Sequence, residues 1–148
     1  MKVKLSSITL CILFLVLCSS GAVLAGETAK DGRFIAYKDG TVLDANNGLM
    51  WAATDNGSDI NWYDARSYCE KYRGGGYTDW RMPTEYELGL VYKSGRKSAI
   101  KITGLAAWAS ETLDSDTAAS FDFEYGSRYF FHKSIDNGSR ALPVRSAK

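Results

Sequence analysis

Two glycine-centred interruptions cut residues 33–52 into three runs of three to five residues. Runs that short can pair as strands but cannot sustain helices, because a helical turn is costly to nucleate and needs length to repay it. Arg33-Phe34-Ile35-Ala36-Tyr37 falls near a strand period, and Asp39-Gly40 before Thr41-Val42-Leu43 is a hairpin signal, since Gly40 can take positive φ. Asn46-Asn47-Gly48 then leads into Leu49-Met50-Trp51-Ala52, an apolar run with the character of a buried strand.

The period changes after a polar loop at Thr54–Ile60. Trp62, Ala65, Cys69 and Tyr72 recur on one helical face, with Asp64, Arg66, Glu70 and Lys71 opposite. Asn61 is the cap and Arg73-Gly74-Gly75-Gly76 the stop. Pro83 keeps residues 77–83 extended, and Thr84-Glu85-Tyr86-Glu87 opens a second helix as a capping box, running to Ser94-Gly95. Beyond it the chain is β-rich. Strands are predicted at 106–110, at 121–125 with aromatic and acidic residues alternating, at 128–131, and at 140–145 after Asn137-Gly138. Two short helices among short strands predict an α+β fold with mainly antiparallel pairing.

The N-terminus is of another kind. Lys2 and Lys4 precede 21 uncharged residues, Leu5–Ala25, which end in small side chains. That is the layout of a secretory signal, with cleavage predicted after Ala25. A retained anchor is the rival, but Ser19-Ser20-Gly21-Ala22 makes a poor spanning segment. The expected division is therefore signal 1–25, a flexible polar lead 26–32 and one domain 33–148, placed in the periplasm or outside the cell. Removing 25 residues from 148 leaves 123, and the loss of Lys2 and Lys4 turns a net charge of +1 into −1. Such a balance offers no field for nucleic acid, and no segment for a membrane remains. Of three cysteines only Cys69 survives, too few for a disulfide scaffold or a four-ligand zinc site. All four Trp and all nine Tyr survive, more aromatic surface than one small core needs.

Few residues suggest chemistry. Cys69, in phase with an apolar stripe, is expected as a buried small hydrophobe, with a Cys69-linked dimer as the alternative in an oxidising compartment. A Cys69/His132 nucleophile pair has no motif behind it. Arg81 is expected to fix a neighbouring loop through Asp79 or Glu87, with Trp80 buried; a ligand platform is the other reading of that block. The acidic loop 55–59 lacks the ligand spacing of a calcium hand, so no metal or cofactor is expected. Tyr125, Arg128, Tyr129, His132 and Lys133 gather aromatics and donors on one predicted hairpin, an arrangement suited to a glycan.

The blocks Asp39-Gly40-Thr41-Val42-Leu43-Asp44, Gly48-Leu49-Met50-Trp51, the helix from Trp62 to Cys69, Gly76-Tyr77-Thr78-Asp79-Trp80-Arg81-Met82-Pro83-Thr84 and Pro143-Val144-Arg145 resemble the Lcl C-terminal domain family. This is a bacterial extracytoplasmic family named after the end of a collagen-like adhesin. The resemblance implies a compact domain similar to C-type lectins and the formylglycine-generating enzyme, and it marks Trp51, Trp62, Cys69, Asp79, Trp80, Arg81, Pro83 and Arg145 as the structural motif. It supplies no reaction, because such folds host binders and enzymes alike. The tripeptides of a calcium-dependent sugar site are missing, and Pro143 stands where related domains carry a late cysteine, leaving Cys69 without its usual partner. The expectation is a secreted or periplasmic, non-enzymatic binding domain, adhesin-like, for a glycan or a surface protein. The alternatives are an enzyme of the formylglycine-generating type and an accessory part of an envelope assembly.

Overall fold

The computed structural model describes residues 27–30, 32–95 and 99–148. The predicted signal, residues 1–25, lies outside them. Strands β2 (Phe34–Tyr37), β3 (Thr41–Asp44) and β4 (Leu49–Ala52) form the expected meander, with Phe34 opposite Asp44 and Thr41 opposite Ala52. Gly40 and Gly48 make its turns at φ of 81° and 62°, a region closed to most side chains. β1 (Glu27–Lys30) pairs antiparallel with β2, although its polar sequence predicts a flexible lead. An edge strand is held by backbone bonds and needs no apolar face to form.

Both helices lie where the spacing puts them. In α1 (Trp62–Lys71), Asn61 Oδ1 accepts the Asp64 N–H at 3.0 Å while Asn61 Nδ2 donates to the Asp64 carboxylate. In α2 (Glu85–Ser94), Thr84 and Glu87 exchange both bonds of the capping box.

The rest of the chain is β5 (Ala106–Thr112), β6 (Thr117–Asp122), β7 (Ser127–His132), β8 (Ser139–Arg140) and β9 (Val144–Ser146). One sheet has the order β1-β2-β3-β4-β9 and the other β7-β6-β5-β8, antiparallel throughout except for β5 with β8. This is the predicted α+β architecture. Side chains on β5 and β6 alternate between two cores, as a period of two requires. Ala107, Ala109, Ala119 and Phe121 face α2 and the first sheet, packing with Phe34, Val42, Trp51, Leu88 and Val144. Trp108 and Ala118 face α1, packing with Trp62, Ala65, Cys69 and Met82. The second sheet is thus the middle layer, and its alanines let elements approach from both sides.

Three segments depart from the sequence expectation. The strand predicted at 121–125 stops at Asp122, whose Oδ1 accepts the Glu124 and Tyr125 N–H groups and turns the chain. The single strand predicted at 140–145 is two strands in different sheets, because Pro143 has no N–H for a ladder and the chain crosses between sheets there. The loop at 54–60 is not a free surface. Asp55 is buried, its carboxylate accepting from Thr103 N and Oγ1 at 2.6 Å and from Gly57 N at 2.9 Å.

Candidate functional site

The motif blocks build the scaffold. All four tryptophans are buried, so none is a surface platform. Trp62 Nε1 donates to the Ala109 carbonyl at 2.9 Å, Trp108 Nε1 to Ile60 at 2.7 Å and Trp80 Nε1 to Gly74 at 3.2 Å. Arg81 takes Glu87, one of its two expected partners, by a two-pronged bond, and Pro83 is buried behind it. Asp79 pairs instead with Arg145, whose guanidinium stacks 3.9 Å from the centre of the Tyr77 ring. The block 77–83 therefore locks the connection between the helices to the last strand.

Cys69 is a free thiol with no exposure, and burial pushes its pKa up to about 12. A Cys69-linked dimer would require α1 to leave the core. His132 is exposed and its Nδ1 lies 2.8 Å from Ser134 Oγ. No contact joins it to Cys69 among the described residues.

The five hairpin residues do not form one surface. Along β7, Arg128, Phe130 and His132 face the α2 side, while Tyr129 and Phe131 face the α1 side. Arg128 is spent on Glu85 at 2.7 Å and lies over the Phe130 ring. Tyr125 stands in the turn beyond β6, 66% exposed, where the Glu124 carboxylate holds its phenol above the usual value. Lys133 is only 6% exposed: its Nζ donates to the carbonyls of Asp114 and Ser115 at 2.9 and 2.8 Å and sits over the Trp62 ring. It is a buried cross-link and offers nothing to a ligand. Only Tyr129, 45% exposed, looks into a cavity.

That cavity is a cleft of about 470 Å³ on the α1 side of the middle sheet. The strand registers set its floor: Ser120 lies opposite Tyr129, Asp122 opposite Ala106, and Ala106 beside Ser139. Tyr129 and Phe131 form one wall, and Phe131 rests edge-on against Trp108 at 6.5 Å. Leu105, 65% exposed, stands at the rim. The opposite wall is Asp59 with the segment 137–140, and the stitched loop 54–60 holds it in place. Asn56 Oδ1 accepts from Ala141 N, Ile60 N donates to the Ser139 carbonyl, and Arg140 Nη1 donates to Asp59.

Three buried side-chain atoms among the described residues have no hydrogen-bond partner, and two of them belong to this wall: Asn137 Nδ2 and Arg140 Nε, with Trp51 Nε1 the third. An unpaired buried donor costs on the order of 1–3 kcal/mol, so two in one place are notable. Ser120 Oγ and Ser139 Oγ share a 2.6 Å bond on the floor. A second groove, beside Trp62 and Met82, is different: its guanidinium groups are already paired, Arg66 with Glu70 and Arg81 with Glu87. No cluster of three or more His, Cys, Asp or Glu could hold a metal ion among the described residues.

The family model described as Lcl C-terminal domain matches residues 40–145. The chain belongs to the Lcl C-terminal domain family. No curated protein matches it. The Lcl C-terminal domain span takes in both the buried motif from Trp51 to Arg145 and the whole cleft from Asp59 to Arg140.

Within this Lcl C-terminal domain, sequence reasoning missed Asp59, Leu105, Asp122, Asn137 and Arg140. They come from four separate segments that only the fold brings together. The one local signal was Asn137-Gly138, which predicts a turn; the chain bends there, Gly138 having φ 83°.

Proposed function

We propose that this domain is a non-enzymatic binding module, working outside the cytoplasmic membrane, that holds a glycan in the cleft beside Tyr129 and Phe131. The observation that carries the reading is the pairing of an aromatic wall with a polar floor and opposite wall, where Asn137 Nδ2 and Arg140 Nε have no partner. A sugar ring presents apolar C–H faces to aromatic side chains and hydroxyls to polar ones, and the cleft offers both: Tyr129 and Phe131 for the faces, Asp122 and Asn137 for the hydroxyls. The lack of a catalytic reading has a physical basis too. The Cys69 thiol is buried in its protonated form, and His132 stands apart on the other side of β7.

The placement outside the membrane rests on the charged, apolar and small-residue order of residues 1–25. N-terminal sequencing of the protein recovered from cell fractions tests it, with Gly26 as the expected first residue. The binding reading is tested by a glycan array followed by amide shift mapping with the strongest binder. Shifts grouped on residues 103–106, 120–122, 129–131 and 137–140 support it; an array without binders, or shifts grouped elsewhere, overturns it.

A further inference from the structure

Resting on the glycan reading, we infer that the group selected by the cleft is the uncharged acetamido substituent of an N-acetylated hexosamine. The ionisable groups of the cleft are Asp59, Asp122 and Arg140, and Arg140 is tied to Asp59. The remaining Asp122 carboxylate leaves the cleft net negative, so a sulfated or uronic unit would meet repulsion with no free cation to offset it. The unspent groups are nevertheless mostly donors: Asn137 Nδ2 and Arg140 Nε both lack an acceptor. A neutral ligand with a strong acceptor satisfies both facts, and an amide carbonyl is a stronger acceptor than a sugar hydroxyl.

The geometry fits the rest of that substituent. Gly104 has no Cβ, and one placed there would sit 2.7 Å from Arg140 Nε and 2.8 Å from its Cγ, so the Arg140 side chain, with its unpaired donor, packs directly on this stretch of backbone. Both donors are buried in the free protein, so an acetamido oxygen entering from the cleft reaches them when the Asn137 and Arg140 side chains turn toward it. The amide N–H then faces the Asp122 carboxylate across the floor, and the methyl packs on exposed Leu105. Relief of two unpaired donors supplies a preference that stacking on Tyr129 alone would not, since stacking treats any pyranose alike.

Titration calorimetry of the protein with four disaccharides tests this. N,N′-diacetylchitobiose and cellobiose share ring and linkage and differ in the acetamido groups; the deacetylated glucosamine disaccharide carries ammonium groups there; a sulfated disaccharide carries anions. The expected result is chitobiose at least about tenfold tighter than each of the others, with the preference over cellobiose lost in Asn137→Ala. Equal binding of chitobiose and cellobiose overturns the acetamido assignment and leaves the glycan reading intact. Tighter binding of the glucosamine or sulfated probe also overturns it, by showing that charge selects. Absence of binding by all four, with binders of another kind on the array, overturns the assignment alone; absence of any glycan binder removes the reading on which it rests.

Discussion

Arg81 donates to both carboxylate oxygens of Glu87, at 2.8 and 2.6 Å, and one of those oxygens also accepts the Thr84 N–H at 2.8 Å. One carboxylate thus caps α2 and ties the 77–83 connection to it. Glu87→Gln keeps the shape and loses the charge. It is expected to cost about 1 kcal/mol, mostly through the Arg81 pair, since the Gln oxygen still accepts the Thr84 N–H while its NH2 cannot accept from Arg81, whose share is discounted because its side chain is partly solvated. Glu70→Gln, which breaks the exposed i,i+4 pair with Arg66, should cost less than about 0.5 kcal/mol. Urea midpoints of the two variants check the contrast.

Acid should unfold the domain through two carboxylates. Burial by itself would raise Glu87 and Asp44. Bonds from Arg81 and Thr84 in the first case, and from Arg33, Asn47 and Asn46 in the second, outweigh it and hold both below their ordinary values of 4.5 and 3.8. The folded form therefore binds these protons less readily than the unfolded one. Their stabilisation is complete above the ordinary values and is lost as pH falls through the lower folded ones. Thermal midpoints should stay level from neutral pH to roughly 5 and then fall, with a shallower fall in Glu87→Gln.

Cys69 should behave as a core atom. A thiol reagent is expected to leave it unmodified in the folded protein and to label it fully in denaturant, and non-reducing gels should show monomer. Cys69→Ala should fold with a loss of about 1 kcal/mol, and Cys69→Ser should cost more, because a hydroxyl would be buried in its place.

These expectations mark what local pattern could carry. The meander around Gly40, the Asn61 cap and the Thr84/Glu87 capping box were legible because each depends on residues a few positions apart. Partner choice was not: Arg81 with Glu87 and Asp79 with Arg145 are decided by where β9 lands beside β4, 66 residues from Asp79 to Arg145. The same holds for the hairpin residues. Alternation places Tyr129 and His132 on opposite faces, but which face is open depends on α1 and α2 covering the middle sheet unequally. Lys133 was misleading because a Lys beside aromatics looks the same in sequence whether its ammonium meets solvent or the carbonyls of a neighbouring loop. Asp55 was misleading for the converse reason, since an Asp-Asn-Gly-Ser run is turn chemistry wherever its side chains end.

Gly104→Ala probes the cleft without removing a polar group. Gly104 has ordinary φ, so the substitution brings no backbone strain; its Cβ would displace the Arg140 side chain from 2.7 Å. Stability should fall by about 1–2 kcal/mol, since the Arg140 side chain that must give way is largely buried and paired with Asp59. Glycan affinity should fall at least about fivefold by calorimetry, because the wall opposite Tyr129 moves.

Tyr129 and His132 lie three residues apart on one strand, equally suited to a ligand by composition, and only Tyr129 faces the cleft. Affinity for the strongest glycan of the array, measured for the native protein, Tyr129→Ala and His132→Ala, therefore tests the account most directly. The account predicts a loss of about tenfold or more for Tyr129→Ala, as one stacking contact is worth, with His132→Ala unchanged. Equal affinity of Tyr129→Ala and the native protein, or a loss confined to His132→Ala, would contradict it.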